Sequence, residues 1–238
     1  MKALFPVILA ALAFVAACPA QEDATAAAAG PTSAVTSAAS LSSGPVVVFD
    51  FKNVKLSPSY WTLTLRADGS GHFRSEMGDV NDTPGKIRTP NINRDVTLTT
   101  AFTKSVFQTA HQNKFFNKDC ESHMKVAYQG DKTVSYMGPE GKGTCTFNYS
   151  RDRDIQVLSD NLIAVAETII EGTRLEMLLQ HDPLGLDKEI QNLADAADSG
   201  RAQQLCIIRP ILERLAEDEH VLDLVRKRAR VLLARAET

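Results

Sequence analysis

The apolar pattern of this chain changes period near Ser150, and that change restricts the folds open to it. Before it, apolar and polar residues alternate; after it, apolar residues recur at three- and four-residue steps. The alternation is strict in Trp61-Thr62-Leu63-Thr64-Leu65-Arg66, the pattern of a half-buried strand. Residues 46–54 are β-branched and aromatic, and Asp68-Gly69-Ser70-Gly71 supplies a turn before a strand over 72–77 with Phe73 and Met77 on one side. Residues 124–128, 133–137 and 144–149 read as three more strands, separated by glycine-containing turns, and together predict an antiparallel meander. Between hairpin and meander, Thr103 is expected to cap a helix, with Phe102 and Phe107 at staple spacing and Val106, Phe107 and Ala110 facing inward. The Asp, Asn, Pro and Gly content of 78–94 predicts a mobile loop.

Beyond Ser150, Ile155, Leu158, Leu162, Val165 and Ile169 predict one long helix burying a single apolar stripe, with Asp152 and Asp154 at its positive end and a stop near His181. Three shorter helices follow in the pattern. Asp187 is expected to cap the first, which contains Ile190, Leu193 and Ala197 and ends at Gly200. The second covers 205–216 and bends or restarts at Pro210. Asp218 is expected to cap the last, with Val221, Val225, Ala229 and Leu232 inward. The fold class is therefore α+β: a small antiparallel sheet with a packed helix over 46–150, then a helical region over 151–238.

The start of the chain carries a different signal. Lys2 precedes a mostly apolar, uncharged run too short to cross a bilayer as a stable helix, so residues 1–20 read as a secretory signal. Val15-Ala16-Ala17-Cys18 is similar to a lipobox, in which Cys18 would be lipidated; Cys18-Pro19-Ala20 also supplies small residues for ordinary cleavage before Gln21. Both readings stay open. Residues 21–45 are almost all Ala, Ser, Thr, Gly and Pro, a composition that cannot offset ordering entropy and reads as a disordered tether. The implied location is the periplasm or a lipid anchor on the cell envelope, with membrane contact only through that anchor.

Charge narrows the partners. The net charge is -3, which gives no basic excess for phosphates and argues against nucleic acid. Residues 46–150 carry 13 basic and 10 acidic side chains, and 151–238 carry 12 and 17, so the halves are mildly complementary to each other.

Setting aside Cys18, the cysteines are Cys120, Cys145 and Cys206. An antiparallel return can bring Cys120 to Cys145, and in an oxidising compartment the pair is expected to bond, worth roughly 3.5 kcal/mol on the chain-entropy model. Cys206, among Leu205, Ile207 and Ile208, reads as a buried inert thiol. Cys120, His123 and Cys145 would make only three metal ligands where a structural zinc normally takes four. Residues 138–144 lack the spacing of a phosphate loop, and no serine-hydrolase elbow or zinc-peptidase helix is present, so no catalytic residue, metal or cofactor is expected. His72, Arg74 and Glu76 share the polar side of their strand, with Asp79 just beyond. They form a surface cluster in which His72 and Glu76 lie roughly 13 Å apart on an extended chain. Arg226, Lys227, Arg228, Arg230 and Arg235 make the last helix basic, complementing its dipole or offering contact to anionic lipid or an acidic partner.

Two resemblances accompany these residues. Residues 218–233, with Val225-Arg226, Ala229 and Leu232, resemble the second helix of a HEAT-type repeat, which implies protein binding. Thr62 to Gly69 and Thr146 to Ser150 make the chain similar to uncharacterised exported bacterial proteins that combine such a hairpin with such a strand end. The expected function is that of a non-catalytic envelope module that recognises a protein or polymer through the sheet's solvent side and the 78–94 loop. An exported hydrolase using His72, Glu76 and Asp79, or a purely structural lipoprotein, are the alternatives.

Overall fold

The computed structural model describes residues 44–78 and 90–236. Residues 1–43, on which the expected secretory signal, Cys18 and nearly all of the expected tether fall, lie outside the described residues, as does Asp79.

Six strands form one sheet in the order β4-β3-β2-β1-β5-β6, with every neighbouring pair antiparallel. They are β1 (Val46–Lys52), β2 (Tyr60–Arg66), β3 (Ser70–Glu76), β4 (Asn93–Thr97), β5 (Asp131–Gly138) and β6 (Gly141–Phe147). Their period of two sends Val47, Phe49, Phe51, Trp61, Leu63, Leu65, Phe73, Val134, Tyr136 and Phe147 to one face, where all are buried. Trp61 is the centre of an aromatic seam, with ring centroids 5.5 Å from Phe49, 5.3 Å from Phe51 and 5.8 Å from Phe73.

Two strand expectations need correcting. Residues 124–128 are not a strand: β1 takes that side of β5 along its full length, and Met124 and Tyr128 are half exposed. The loop expected over 78–94 ends instead in β4, whose alternation puts Arg94 and Val96 inward and Asn93 and Asp95 outward.

Among the described residues there are five α-helices, α1 (Thr100–Gln112), α2 (Arg153–His181), α3 (Leu186–Asp198), α4 (Arg209–Glu217) and α5 (Asp223–Ala236), and α3 and α4 pack on α2 while α5 packs on α3 and α4. The cap of α1 is Thr99, whose hydroxyl accepts from the Phe102 amide, and not Thr103, which is buried inside the helix. That shift removes Phe102 and Phe107 from staple positions. Asp152 caps α2 by accepting from the amides of Asp154 and Ile155, as its place before the helix implies.

The α2 stripe is wider than a single face. From Ala164 to Thr173 every residue but Glu167 is buried, because the sheet lies to one side and α3, α4 and the 205–208 turn to the other. Arg94 of β4 reaches Glu176 at 3.4 Å, and Lys118, after α1, pairs with Asp152. One hydrophobic core runs across position 150 and through both layers.

Asp187 and Asp218 do not cap helices. The turn Pro183–Gly185 runs straight into α3, and the Asp187 carboxylate receives Arg228 of α5. Asp218 ends α4 and accepts the His220 amide at 2.9 Å, so α5 begins only at Asp223. Pro210 starts α4 as expected, and Val225, Ala229 and Leu232 are the buried side of α5.

The glycines around the β5–β6 turn have a packing cause. Lys114, Phe115 and Phe116 follow one another at positive φ, a local strain of about 1–3 kcal/mol per residue. Their backbone rests on β6: a Cβ on Gly143 would lie 2.4 Å from the Phe115 carbonyl oxygen, and one on Gly141 would lie 2.5 Å from the Phe115 ring. Phe115 in turn stacks on Tyr136 with centroids 4.9 Å apart. Cys120 and Cys145 are disulfide-bonded, Cα to Cα 5.8 Å, pinning the end of this segment to β6. Cys206 is half-buried, and no described cysteine is a free thiol, which corrects the inert-thiol expectation. No helix among the described residues is long and apolar enough to cross a membrane.

Candidate binding face

The outward residues of the six strands form a mostly polar surface, interrupted by Val46, Val48 and Met137. Register places them in rows. One row reads Asp95, His72, Thr64, Val48, Ser135 and Thr144 from β4 to β6; the next reads Asn93, Arg74, Thr62, Asp50, Thr133 and Thr146. At the usual strand spacing each row spans roughly 24 Å.

These side chains bond laterally to one another. Asp50 Oδ1 accepts from the Thr62 hydroxyl at 2.6 Å and from the Tyr60 hydroxyl at 2.9 Å. Thr133 and Thr146 pair at 2.9 Å, Ser135 and Thr144 at 2.7 Å. The Thr62 hydroxyl eases ionisation of Tyr60, but burial and the Asp50 carboxylate outweigh it and raise the phenol's pKa. The result is a field of hydroxyls held by lateral bonds on a partly exposed face, where a hydroxyl oxygen can accept a further hydrogen bond.

Toward the β4 edge the field becomes charged. His72 Nδ1 lies 2.7 Å from Asp95 Oδ1, and Nε2 lies 2.7 Å from Asn93 Oδ1. Two acceptors at the two ring nitrogens call for a proton on each, so the Asp95 and Asn93 bonds raise the His72 pKa and favour imidazolium. Arg74 pairs with Glu76 at 3.0 Å.

His72, Arg74 and Glu76 do share the outward side of β3, as the alternation implies. The residue that engages His72 is Asp95, however, and Glu76 is held by Arg74, so His72 and Glu76 do not form one site. Asn93 lies within the segment expected to be loop and Asp95 just beyond it, so the sequence does not place either beside His72. The signal was there: Asn93-Arg94-Asp95-Val96-Thr97 alternates, but with only one large apolar residue.

The structure also contains a buried polar group that no local motif announces. Glu171 and Arg174 on α2 meet Glu189 on α3, and burial pushes the Glu171 carboxyl up to about 9. Lys132, on the inward side of β5, donates to the Asn148 carbonyl oxygen at 2.8 Å, and burial lowers its pKa.

Other sequence candidates have structural partners. Cys120 and Cys145 are consumed by their disulfide, His123 faces Asp119 at 2.8 Å, and no group of three or more metal-ligating side chains occurs among the described residues. Each cation singled out on α5 meets an internal partner. Arg226 and Lys227 reach Asp223, Arg228 reaches Asp187, Arg230 donates to the Ala216 carbonyl oxygen and Arg235 reaches Asp198. A cleft between α1 and the start of α2 is lined by Phe102, Thr109, Arg153 and Asn161, away from the sheet's open face. Comparison with known proteins finds no family model and no curated protein that matches this chain.

Proposed function

We propose that this protein is a non-catalytic module of the cell envelope that holds a hydroxyl- and amide-bearing envelope polymer against the open face of its sheet. The observation that carries this reading is the laterally bonded hydroxyl field across β1, β2, β5 and β6. A protein partner normally needs a large apolar or aromatic anchor at the centre of its footprint. Among the described strand residues the large apolar side chain left well exposed is Met137, at the end of β5, while the outward Val46 and Val48 are half-buried. Hydrated polymers are recognised through many weak hydrogen bonds exchanged with water, which fixed hydroxyls provide at little entropic cost.

Delivery is part of the proposal: residues 1–20 export the chain, residues 21–45 act as a tether, and Cys18 is the point of lipid attachment if cleavage follows the lipobox. Mass analysis of the mature N-terminus tests this, and a product beginning at an unmodified Gln21 would remove the anchor.

Binding is tested by co-sedimentation with purified insoluble cell wall. Wild type is expected to sediment, and a Thr62→Val, Thr64→Val, Thr133→Val variant, similar in shape but without those hydroxyls, is expected to lose at least about tenfold in affinity. Equal retention of both proteins, or none of either, would overturn the reading. Capture that disappears when the wall preparation is treated with protease would make the occupant a protein and overturn the polymer assignment.

A further inference from the structure

In the enclosed middle of α2, two carboxyl groups meet one cation. The Glu171 side chain keeps 8% of its accessible surface and that of Glu189 keeps 15%. Arg174 Nη1 lies 2.6 Å from Glu171 Oε1 and 3.5 Å from Glu189 Oε1. Glu171 Oε2 and Glu189 Oε1 are buried without a hydrogen bond, the 3.5 Å approach of Arg174 to Glu189 Oε1 being an ion pair and not a hydrogen bond. The two carboxyls nonetheless lie within hydrogen-bonding reach of each other. Glu167 adds a half-buried acid on the same helix, and Arg201 acts on Glu167 from the segment after α3.

Two ionised carboxylates in that position would repel each other and leave both oxygens without a hydrogen bond. A single proton changes both terms: one oxygen becomes a donor to the other, and one negative charge is left for Arg174. We propose that Glu171 and Glu189 share one retained proton, and that this proton locks α3 onto α2, so the helical layer tightens in acid and loosens in alkali.

The electrostatics agree with the geometry. Burial comes first, the bond to Glu189 second, and together they outweigh Arg174 and hold Glu171 protonated up to about 9. An acid raised in the folded state binds a proton that the unfolded chain releases near its ordinary value of 4.5. Stability from this pair is therefore greatest below that value and is lost as pH rises toward the folded pKa.

The test compares wild type with Glu171→Gln by chemical denaturation from pH 5 to pH 8. The amide supplies a permanent donor, so the variant keeps the bond without the proton. The wild-type unfolding constant should rise with pH more steeply than that of the variant, by up to about tenfold per pH unit. Parallel profiles would overturn the proposal. Should the variant fail to fold, carboxyl-carbon NMR of the wild type serves instead. One glutamate resonance still protonated at pH 7 supports the lock, and a spectrum in which every glutamate is ionised at that pH overturns it.

Discussion

The open face of the sheet and the enclosed middle of α2 both carry dense polar side chains, yet their hydrogen bonds are completed by different means. On the sheet, Asp50, Tyr60 and Thr62 satisfy one another sideways and leave their outer lone pairs to water. Between α2 and α3, Glu171 and Glu189 are largely enclosed, and although Arg174 approaches both, Glu171 Oε2 and Glu189 Oε1 are left without a hydrogen bond. Polar groups that can trade water for a ligand suit recognition; polar groups that can trade only a proton suit coupling of helices. On the two proposals, the same chain carries a binding surface and a proton-dependent joint without either intruding on the other.

That contrast gives graded expectations. The largest loss should follow Arg174→Met, which leaves the enclosed acids without their cation. Breaking a buried ion pair from one side costs about 3–5 kcal/mol, and the partial exposure of Arg174 places the loss near the lower figure, readable as a lowered denaturation midpoint at pH 7. Opening the disulfide with Cys120→Ser and Cys145→Ser should cost about 3 kcal/mol, below the chain-entropy figure because an unfolded chain retains structure, measured in the same way under non-reducing conditions. On the open face, Asp50→Ala should cost only about 1 kcal/mol in stability, because water replaces the lost acceptor, while weakening retention by cell wall. A stability loss on the scale of Arg174→Met would erase the distinction between the two regions.

The smallest effect should come from Asp95→Ala. It removes the leading cause of the raised His72 pKa, so the imidazole titration followed by NMR should move down toward its ordinary value. The sign is that of a base gaining a partner: the pair's contribution is complete below the ordinary imidazole value and fades as pH rises through the raised one. An unchanged titration would mean that Asp95 does not hold the His72 proton.

Local chemistry explains which parts of the fold could be read in advance. Trp61 to Arg66 declared both its strand and its buried face, Asp152 declared the start of α2, and the Cys120–Cys145 disulfide followed from arithmetic and an antiparallel return. Cap positions were less legible, since Thr99 and Thr103 are equally able to cap and only the helix start separates them. Residues 124–128 have strand composition, but pairing is a tertiary choice, and β1 fills the place they would need. β4 hid behind polar residues because an edge strand with one buried large apolar side chain carries little apolar signal. The Glu171–Glu189 pair could not be seen at all: each residue looks like an ordinary helical acid until α3 folds back on α2.

Threonine-methyl NMR, with soluble cell-wall fragments added stepwise, tests the central claim most directly because controls are built into the chain. The methyls of Thr62, Thr64, Thr133, Thr144 and Thr146 should shift on addition, while those of the buried Thr103, Thr168 and Thr173 stay in place. Shifts absent from the open face, or no larger there than at the buried threonines, would contradict it.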